Sequence, residues 1–273
     1  MALVETFHLA EESALAQEFL ANGYVVRDVE DRAALDALRR ETVRIAARLA
    51  EARPPADDGT FLDQLHRTVP IEKLNSVRLG IYRELNDKAW FRPTAFKLAR
   101  RLVETLVGNE LAMQNRINVS IQMPHDKTSL LDIHADAFSG ETPYQVVQWL
   151  PLVDVAGTKS MFILPRPKSE AAIARMSELG SGGMRALFEA VKGNLVWLTI
   201  NYGEQLMFCP NLLHGNVVNE EETTRVSLNV RYKGLFTPYV SAEKSLGAFY
   251  LPITTRPATR LGMAYRNPDG FSE

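Results

Sequence analysis

The spacing of apolar residues changes character near residue 115 of this chain. Before it, apolar positions recur at intervals of three and four, as on one face of a helix; after it they alternate with polar ones, as on a half-buried strand. In the first part, residues 11–21 predict a short helix with Leu15, Phe19 and Leu20 inward and Gly23 as its C-terminal cap. A brief strand follows at Tyr24-Val25-Val26. Asp31 is placed to cap a longer helix carrying Leu35, Leu38, Ile45 and Leu49, which stops at Pro54-Pro55. Leu74, Val77, Ile81 and Leu85 mark a helix over 71–85. Another is expected from about Trp90 to Val107, burying Phe96, Leu102 and Leu106 and ending at Gly108.

In the second part the expected strands are Ile117–Gln122, Leu130–Asp136, Tyr144–Leu150, Ser160–Leu164, Leu195–Ile200, Gln205–Phe208, Leu213–Val218 and Arg225–Tyr232, separated by turn residues. Helical character interrupts them over 169–179 and 184–191, with a Gly180-Ser181-Gly182-Gly183 break between. Many short strands with one helical insert predict a mainly β fold with α, a double-stranded β-helix (jelly roll, cupin-like) flanked by N-terminal helices. Those helices are expected on the outer face of one sheet. No linker is visible, so 1–273 is expected as a single domain: 1–115 a mainly helical flank, 116–235 the jelly-roll core carrying the site, and 236–273 a C-terminal extension.

Bulk composition narrows the function. Of 273 residues, 46% are hydrophobic and 23% charged, which excludes a disordered or fibrous chain. A net charge of −2 offers no whole-molecule attraction to nucleic acid or to an anionic membrane, and no apolar run is long enough to span a bilayer. Met1 to Leu20, with Glu5, Glu11, Glu12 and Glu18, lacks the basic start and apolar stretch of a signal peptide. Cys209 is the only cysteine, which rules out an internal disulfide and a cysteine-built zinc site and fits a reducing, cytoplasmic setting. A small-molecule substrate is the expected partner, and the sequence carries no signal for an oligomeric state.

The candidate chemistry begins at His134-Ala135-Asp136. Residues two apart on a strand share a face, so an imidazole and a carboxylate can meet one cation. His214, followed by the small Gly215, offers a third ligand, and two His with one carboxylate form the facial arrangement that holds non-haem Fe(II). Eleven positions on, Arg225-Val226-Ser227 puts a guanidinium fork and a hydroxyl on one strand face, able to grip a carboxylate together.

This pattern of His-x-Asp, distal His and Arg-x-Ser, spanning Asn118 to Tyr232, resembles the 2-oxoglutarate- and Fe(II)-dependent oxygenase superfamily. Phe19-Leu20-Ala21-Asn22-Gly23-Tyr24-Val25-Val26 is similar to the opening of its phytanoyl-hydroxylase-like branch. Ser160-Met161-Phe162, Asn211-Leu212-Leu213-His214-Gly215-Asn216, Lys244-Ser245-Leu246-Gly247 and Arg256-Pro257-Ala258-Thr259 resemble the sporadic carbohydrate-cluster oxygenases of bacterial saccharide-biosynthesis loci. The resemblance implies that His134, Asp136 and His214 bind Fe(II) and that Arg225 and Ser227 bind the distal carboxylate of 2-oxoglutarate. It also implies oxidation of a substrate by dioxygen with release of succinate and CO2. Asp136 speaks against the halogenating branch, which needs a small residue there.

Asn118 and Gln122, with Ser120 on the same face, are the expected further cosubstrate contacts. His125 is a candidate substrate-side group. For the remaining groups ordinary roles are expected: Lys159, Arg166 and Lys168 as loop charges that could otherwise meet an anion; Lys97, Arg100 and Arg101 as a solvated helix face; His8 and His66 as packed or surface histidines; and Cys209 as a small buried hydrophobe. Two rival functions remain open from the sequence, a cupin-like metal enzyme that does not use 2-oxoglutarate and a non-catalytic jelly-roll sugar-binding module.

Overall fold

The computed structural model describes residues 9–53 and 56–270; His8 and the Pro54-Pro55 helix stop lie outside the described residues. Helix α1 (Ala10–Asn22) ends on Gly23, whose positive φ of 79° lets its N–H close back on the Phe19 carbonyl. Leu15 and Phe19 are half-buried against the core, but Leu20 is exposed, contrary to expectation. Strand β1 (Tyr24–Asp28) follows, and Asp31 caps α2 (Arg32–Leu49) by accepting from Ala34 N at 2.9 Å. Next come α3 (Asp58–Asp63) and α4 (Ile71–Asn86), whose buried Leu74, Val77, Ile81 and Leu85 follow the predicted spacing.

The helix expected over Trp90–Val107 is two helices, α5 (Phe91–Lys97) and α6 (Arg100–Leu106). Tertiary hydrogen bonds occupy the joint. The Leu98 carbonyl accepts from Glu30 N at 3.0 Å and from the buried Gln205 Nε2 at 2.7 Å, and Ala99 leaves helical geometry at φ −136°.

The strands are β2 (Leu111–Gln114), β3 (Asn118–Gln122), β4 (Gln145–Pro151) and β5 (Phe162–Ile163). Three insert helices, α7 (Arg166–Ala174), α8 (Met176–Leu179) and α9 (Met184–Val191), separate them from β6 (Val196–Trp197), β7 (Glu204–Phe208), β8 (His214–Gly215) and β9 (Arg225–Gly234). Strand β10 (Tyr250–Thr254) and helix α10 (Pro257–Ala264) complete the described chain. Several strands are shorter than expected. Leu213–Val218 pairs regularly only at His214–Gly215, Ser160–Leu164 only at Phe162–Ile163, and Leu195–Ile200 only at Val196–Trp197, with Ile200 in an isolated bridge to Val155.

These strands form a jelly roll. A seven-stranded antiparallel sheet runs β1-β7-β4-β9-β2-β10, with β3 also on β9, and a three-stranded sheet runs β6-β5-β8. The ten-residue β9 organises the larger sheet. One edge pairs with β4 along Ser227–Lys233, while the other takes β3 along Arg225–Asn229 and β2 along Tyr232–Gly234.

Alternation on β9 sorts the layers. Val226, Leu228, Val230 and Tyr232 share an apolar cluster with Leu38, Ile45, Leu74, Val77 and Ile81 of the N-terminal helices, and the Tyr232 ring lies 5.9 Å from Phe96. A second cluster places Ala172, Leu187 and Val191 of the insert against Ile133, Phe162, Leu164 and Leu213 of the smaller sheet and its neighbouring loop. Helices therefore cover both sheets from outside, and the polar face of β9 is turned into the space between them.

At Gly215 the smaller sheet and the 123–133 loop come close. A Cβ there would sit 2.7 Å from the Leu131 carbonyl oxygen and 2.9 Å from Phe162 Cζ. Gly215→Ala is expected to cost about 1–3 kcal/mol, as overpacked buried sites do, read as a lower urea midpoint at unchanged slope. A midpoint equal to the wild type would contradict the close approach.

Candidate metal centre

Two backbone hydrogen bonds build the centre. His134 N donates to the His214 carbonyl at 2.9 Å, and His214 N donates to the His134 carbonyl at 2.8 Å. Residues that exchange both bonds across an antiparallel bridge project to the same face, and the two imidazole centroids lie 4.4 Å apart. Ala135 is extended (φ −115°, ψ 137°), which returns Asp136 to the side of His134 while Ile133 and Ala135 enter the second apolar cluster. The regular strand expected over Leu130–Asp136 is absent, because this segment makes only the single bridge and then turns into a short 3-10 helix at Asp136–Ser139. The alternation in the sequence survives, since one extended residue is enough to set it.

Each imidazole commits Nδ1 to the carbonyl two residues earlier, Asp132 at 2.7 Å for His134 and Leu212 at 2.8 Å for His214. Facing a carbonyl, Nδ1 must carry the proton, and the Nε2 lone pairs are left for the cavity. These Nε2 atoms lie 3.6 and 3.9 Å from Asp136 Oδ1, and the three potential ligand atoms fall within 4.8 Å of one another.

Charge is tuned to match. Burial pushes the His214 imidazole down to about 4, against the pull of Asp136, and keeps it in the neutral form that ligates a metal. Burial acts the same way on His134, but Asp136 and the Asp132 carbonyl outweigh it and leave its pKa raised. Burial drives the Asp136 carboxyl upward, yet His134, Arg231 and His214 together hold it well below the usual carboxylate range. Two imidazoles and an ionised carboxylate on one side of a cation suit Fe(II) and leave open positions opposite.

Arg231 was not expected here. Its Nη2 and Nε donate to Asp136 Oδ2 at 2.7 and 3.2 Å, which leaves Oδ1 for a cation. The signal lay in β9 itself, where Arg225, Ser227, Asn229, Arg231 and Lys233 are alternate polar residues on one face. Arg231 Nε also lies 3.7 Å from Glu141, a buried carboxylate that accepts from Lys244 Nζ at 2.6 Å and Tyr250 Oη at 2.8 Å.

The centre lies in a cavity of about 740 Å³ walled in part by Trp149, Met161 and Phe208, whose ring meets His214 edge-on at 4.8 Å. Arg225 lines the same cavity and is buried. No carboxylate among the described residues lies within 4.0 Å of it. Its Nη1 reaches only the carbonyls of Lys159 and Ser160, at 3.4 and 3.3 Å, and its Nε has no partner. Ser227 Oγ and Ser160 Oγ are likewise buried without partners. Burial pushes the Arg225 guanidinium down to about 10, with nothing opposing it.

Strand β3 pairs Asn118, Ser120 and Gln122 with Asn229, Ser227 and Arg225. Asn118 and Ser120 line the cavity. Gln122 does not: its Nε2 donates to the Val217 carbonyl at 2.6 Å and its Oε1 faces Asn216 Nδ2 at 3.5 Å. Asn216 in turn accepts from Leu131 N at 2.6 Å and donates to the Ser129 carbonyl at 3.2 Å, so Gln122 and Asn216 order the loop that delivers His134.

The other candidates lie elsewhere. His125 is exposed in the left-handed region (φ 58°), 3.3 Å from Glu220 and outside the cavity lining. Lys159 is no loop charge but a buried one, 2.7 Å from Asp63. Arg166 binds Glu170 and the Leu20 carbonyl, and Lys168 is exposed on α7. His66 Nδ1 meets Thr224 Oγ1 at 2.9 Å, Lys97 pairs with Asp31, Arg100 pairs with Glu104, and Cys209 packs half-buried at the edge of the main core.

Comparison with known proteins gives a likeness in fold. No family model matches the chain, and no curated sequence matches it. Among solved structures, the chain is similar to the non-heme monooxygenase ThoJ in complex with nickel (17% identity over 90% of this chain and 85% of that one, TM-score 0.57). It is also similar to apo EctD from S. alaskensis (16%, 85% and 80%, TM-score 0.54) and to HygX from Streptomyces hygroscopicus with nickel and 2-oxoglutarate bound (13%, 89% and 96%, TM-score 0.51).

Arg231→Gln removes the fork on Asp136 Oδ2. A lost partner of a metal ligand typically lowers metal affinity about 10–100-fold, and that loss is expected in calorimetric titration with Ni(II). Unchanged affinity in a folded variant would remove Arg231 from the centre.

Proposed function

We propose that the chain is an Fe(II)- and 2-oxoglutarate-dependent dioxygenase that hydroxylates or otherwise oxidises a small molecule. The observation that carries this reading is Arg225, a buried guanidinium with no carboxylate partner in the cavity that also holds the two imidazoles and Asp136; the unpartnered Ser227 hydroxyl lies two positions along the same strand face, behind the cavity lining. An uncompensated buried charge costs several kcal/mol, so an anionic ligand that reaches both Arg225 and a bound cation restores the balance. A keto diacid has that shape: one carboxylate for Arg225 and Ser227, and a keto-acid end for the metal.

Bound there, Fe(II) with 2-oxoglutarate and dioxygen supplies the oxidation of a C–H bond, with succinate and CO2 as coproducts. The chain's own contribution is placement. His134, His214 and Asp136 Oδ1 hold the cation, Arg231 keeps the second carboxylate oxygen occupied, and Trp149, Met161 and Phe208 limit water around the reacting positions. The nickel and 2-oxoglutarate in the HygX structure, on a similar fold, support the same assignment. The sequence resemblance to the carbohydrate-cluster oxygenases supports a saccharide or saccharide precursor as substrate.

The test is 2-oxoglutarate turnover with Fe(II), followed as succinate, over a substrate panel that includes sugars and nucleotide sugars. Succinate formation is expected to fall to background in His134→Ala and Asp136→Ala, each of which deletes a ligand; wild-type turnover in either contradicts the metal assignment. Arg225→Ala is expected to raise the 2-oxoglutarate concentration needed for half-maximal turnover at least about tenfold, the scale of one lost charge-assisted contact. An unchanged requirement removes Arg225 from that role, and metal binding without any 2-oxoglutarate binding would favour a cupin-like enzyme that does not use it.

A further inference from the structure

Three arginines line the cavity, Arg78, Arg225 and Arg231, against a single carboxylate, Asp136. Arg231 is engaged with Asp136, and Arg225 with a cosubstrate carboxylate under the function proposed above. Arg78 is left over. It stands on α4, half-buried in the wall; its Nη2 donates to the neutral Asn75 Oδ1 at 2.7 Å and its Nη1 to the Val119 carbonyl at 3.5 Å. No carboxylate among the described residues lies within 4.0 Å of it.

The charges of the loaded pocket do not cancel without a further anion. Asp136 and Arg231 offset each other, and a dianionic cosubstrate neutralises Arg225 and half of a divalent cation. One positive charge then remains at the metal and another on Arg78. Low-dielectric walls strengthen the field of such an excess on whatever enters.

Around Arg78 the cavity is of two kinds. Ile71 on α4 and Leu130 and Leu131 on the opposite loop are exposed apolar residues, whereas Asn75, Asn118 and Thr128 supply neutral polar groups. A volume of about 740 Å³ is within the range of small-molecule sites and leaves room beside a five-carbon cosubstrate.

We propose that Arg78 makes the substrate pocket selective for a molecule bearing an anionic group, a carboxylate or a phosphate ester, on a body with apolar surface. This rests on the dioxygenase reading of the same site. The guanidinium fork grips either group bidentately, while Ile71, Leu130 and Leu131 cover the apolar part. Arg78 thereby orients the substrate and takes no part in the oxidation itself.

The test uses probes that share a phenyl ring and carry a neutral or an anionic group, benzyl alcohol and benzamide against benzoate and phenyl phosphate, titrated calorimetrically into the Ni(II)- and 2-oxoglutarate-loaded protein. At least one anionic probe is expected to bind about tenfold or more tightly than either neutral one. That preference should vanish in Arg78→Gln and partly return in Arg78→Lys. The more favoured anion identifies which of the two groups the pocket takes.

Equal binding of charged and neutral probes, no saturable binding of either anion at millimolar concentration, or an undiminished preference in Arg78→Gln overturns the proposal. Affinity for 2-oxoglutarate is measured in parallel. If wild type lacks it, the dioxygenase reading fails first; if only Arg78→Gln loses it, Arg78 belongs to the cosubstrate and the substrate proposal falls alone.

Discussion

The reciprocal pair of backbone hydrogen bonds between His134 and His214 is the contact on which the centre depends. It joins a loop with almost no regular pairing of its own to the smaller sheet, and in doing so sets two imidazoles, eighty residues apart in sequence, side by side. Other features protect that contact. Gly215 lets the loop backbone come close, Asn216 holds the loop at Ser129 and Leu131, and Gln122 holds Asn216. The Nδ1 bonds then remove the remaining freedom of each ring. Preorganisation of this kind lets a metal site bind without first ordering its ligands.

A second principle is the uneven distribution of charge. The cavity wall is rich in arginine and nearly free of acid, and the one acid it contains is held ionised by its neighbours. Elsewhere the buried cation Lys159 has its own carboxylate, Asp63. Lys233, also buried, gives its ammonium to the Thr237 carbonyl, whereas Arg225 keeps a guanidinium N–H with no partner at all, a state a protein tolerates where a ligand completes it.

Much of this was legible in the sequence where one face differs from the other. The alternation of β9 revealed both the strand and its inward Arg225 and Ser227, and Ile133-His134-Ala135-Asp136 revealed which side chains turn to the cavity even though no regular strand forms there. Strand β2 was invisible because all four of its residues are buried and the contrast of alternation disappears; β10 was hidden by Pro252, which an edge strand tolerates. Features settled by distant partners could not be read locally. The Leu98 carbonyl breaks a helix to meet Glu30 and Gln205, Lys159 finds Asp63, and Gln122 gives its amide to Val217 rather than to the cavity.

The chain of contacts from Asp136 through Arg231 and Glu141 ends on Lys244 and on Tyr250, the first residue of β10 at the edge of the larger sheet. The carboxyl-terminal segment is therefore a strut under a metal ligand rather than a trailing appendage. Loss of the chain beyond Leu235 would take β10 from the sheet edge and leave Glu141 without its ammonium and phenol partners, loosening the guanidinium that steadies Asp136. Damage at the tail would be felt at the heart of the molecule as a drifting carboxylate.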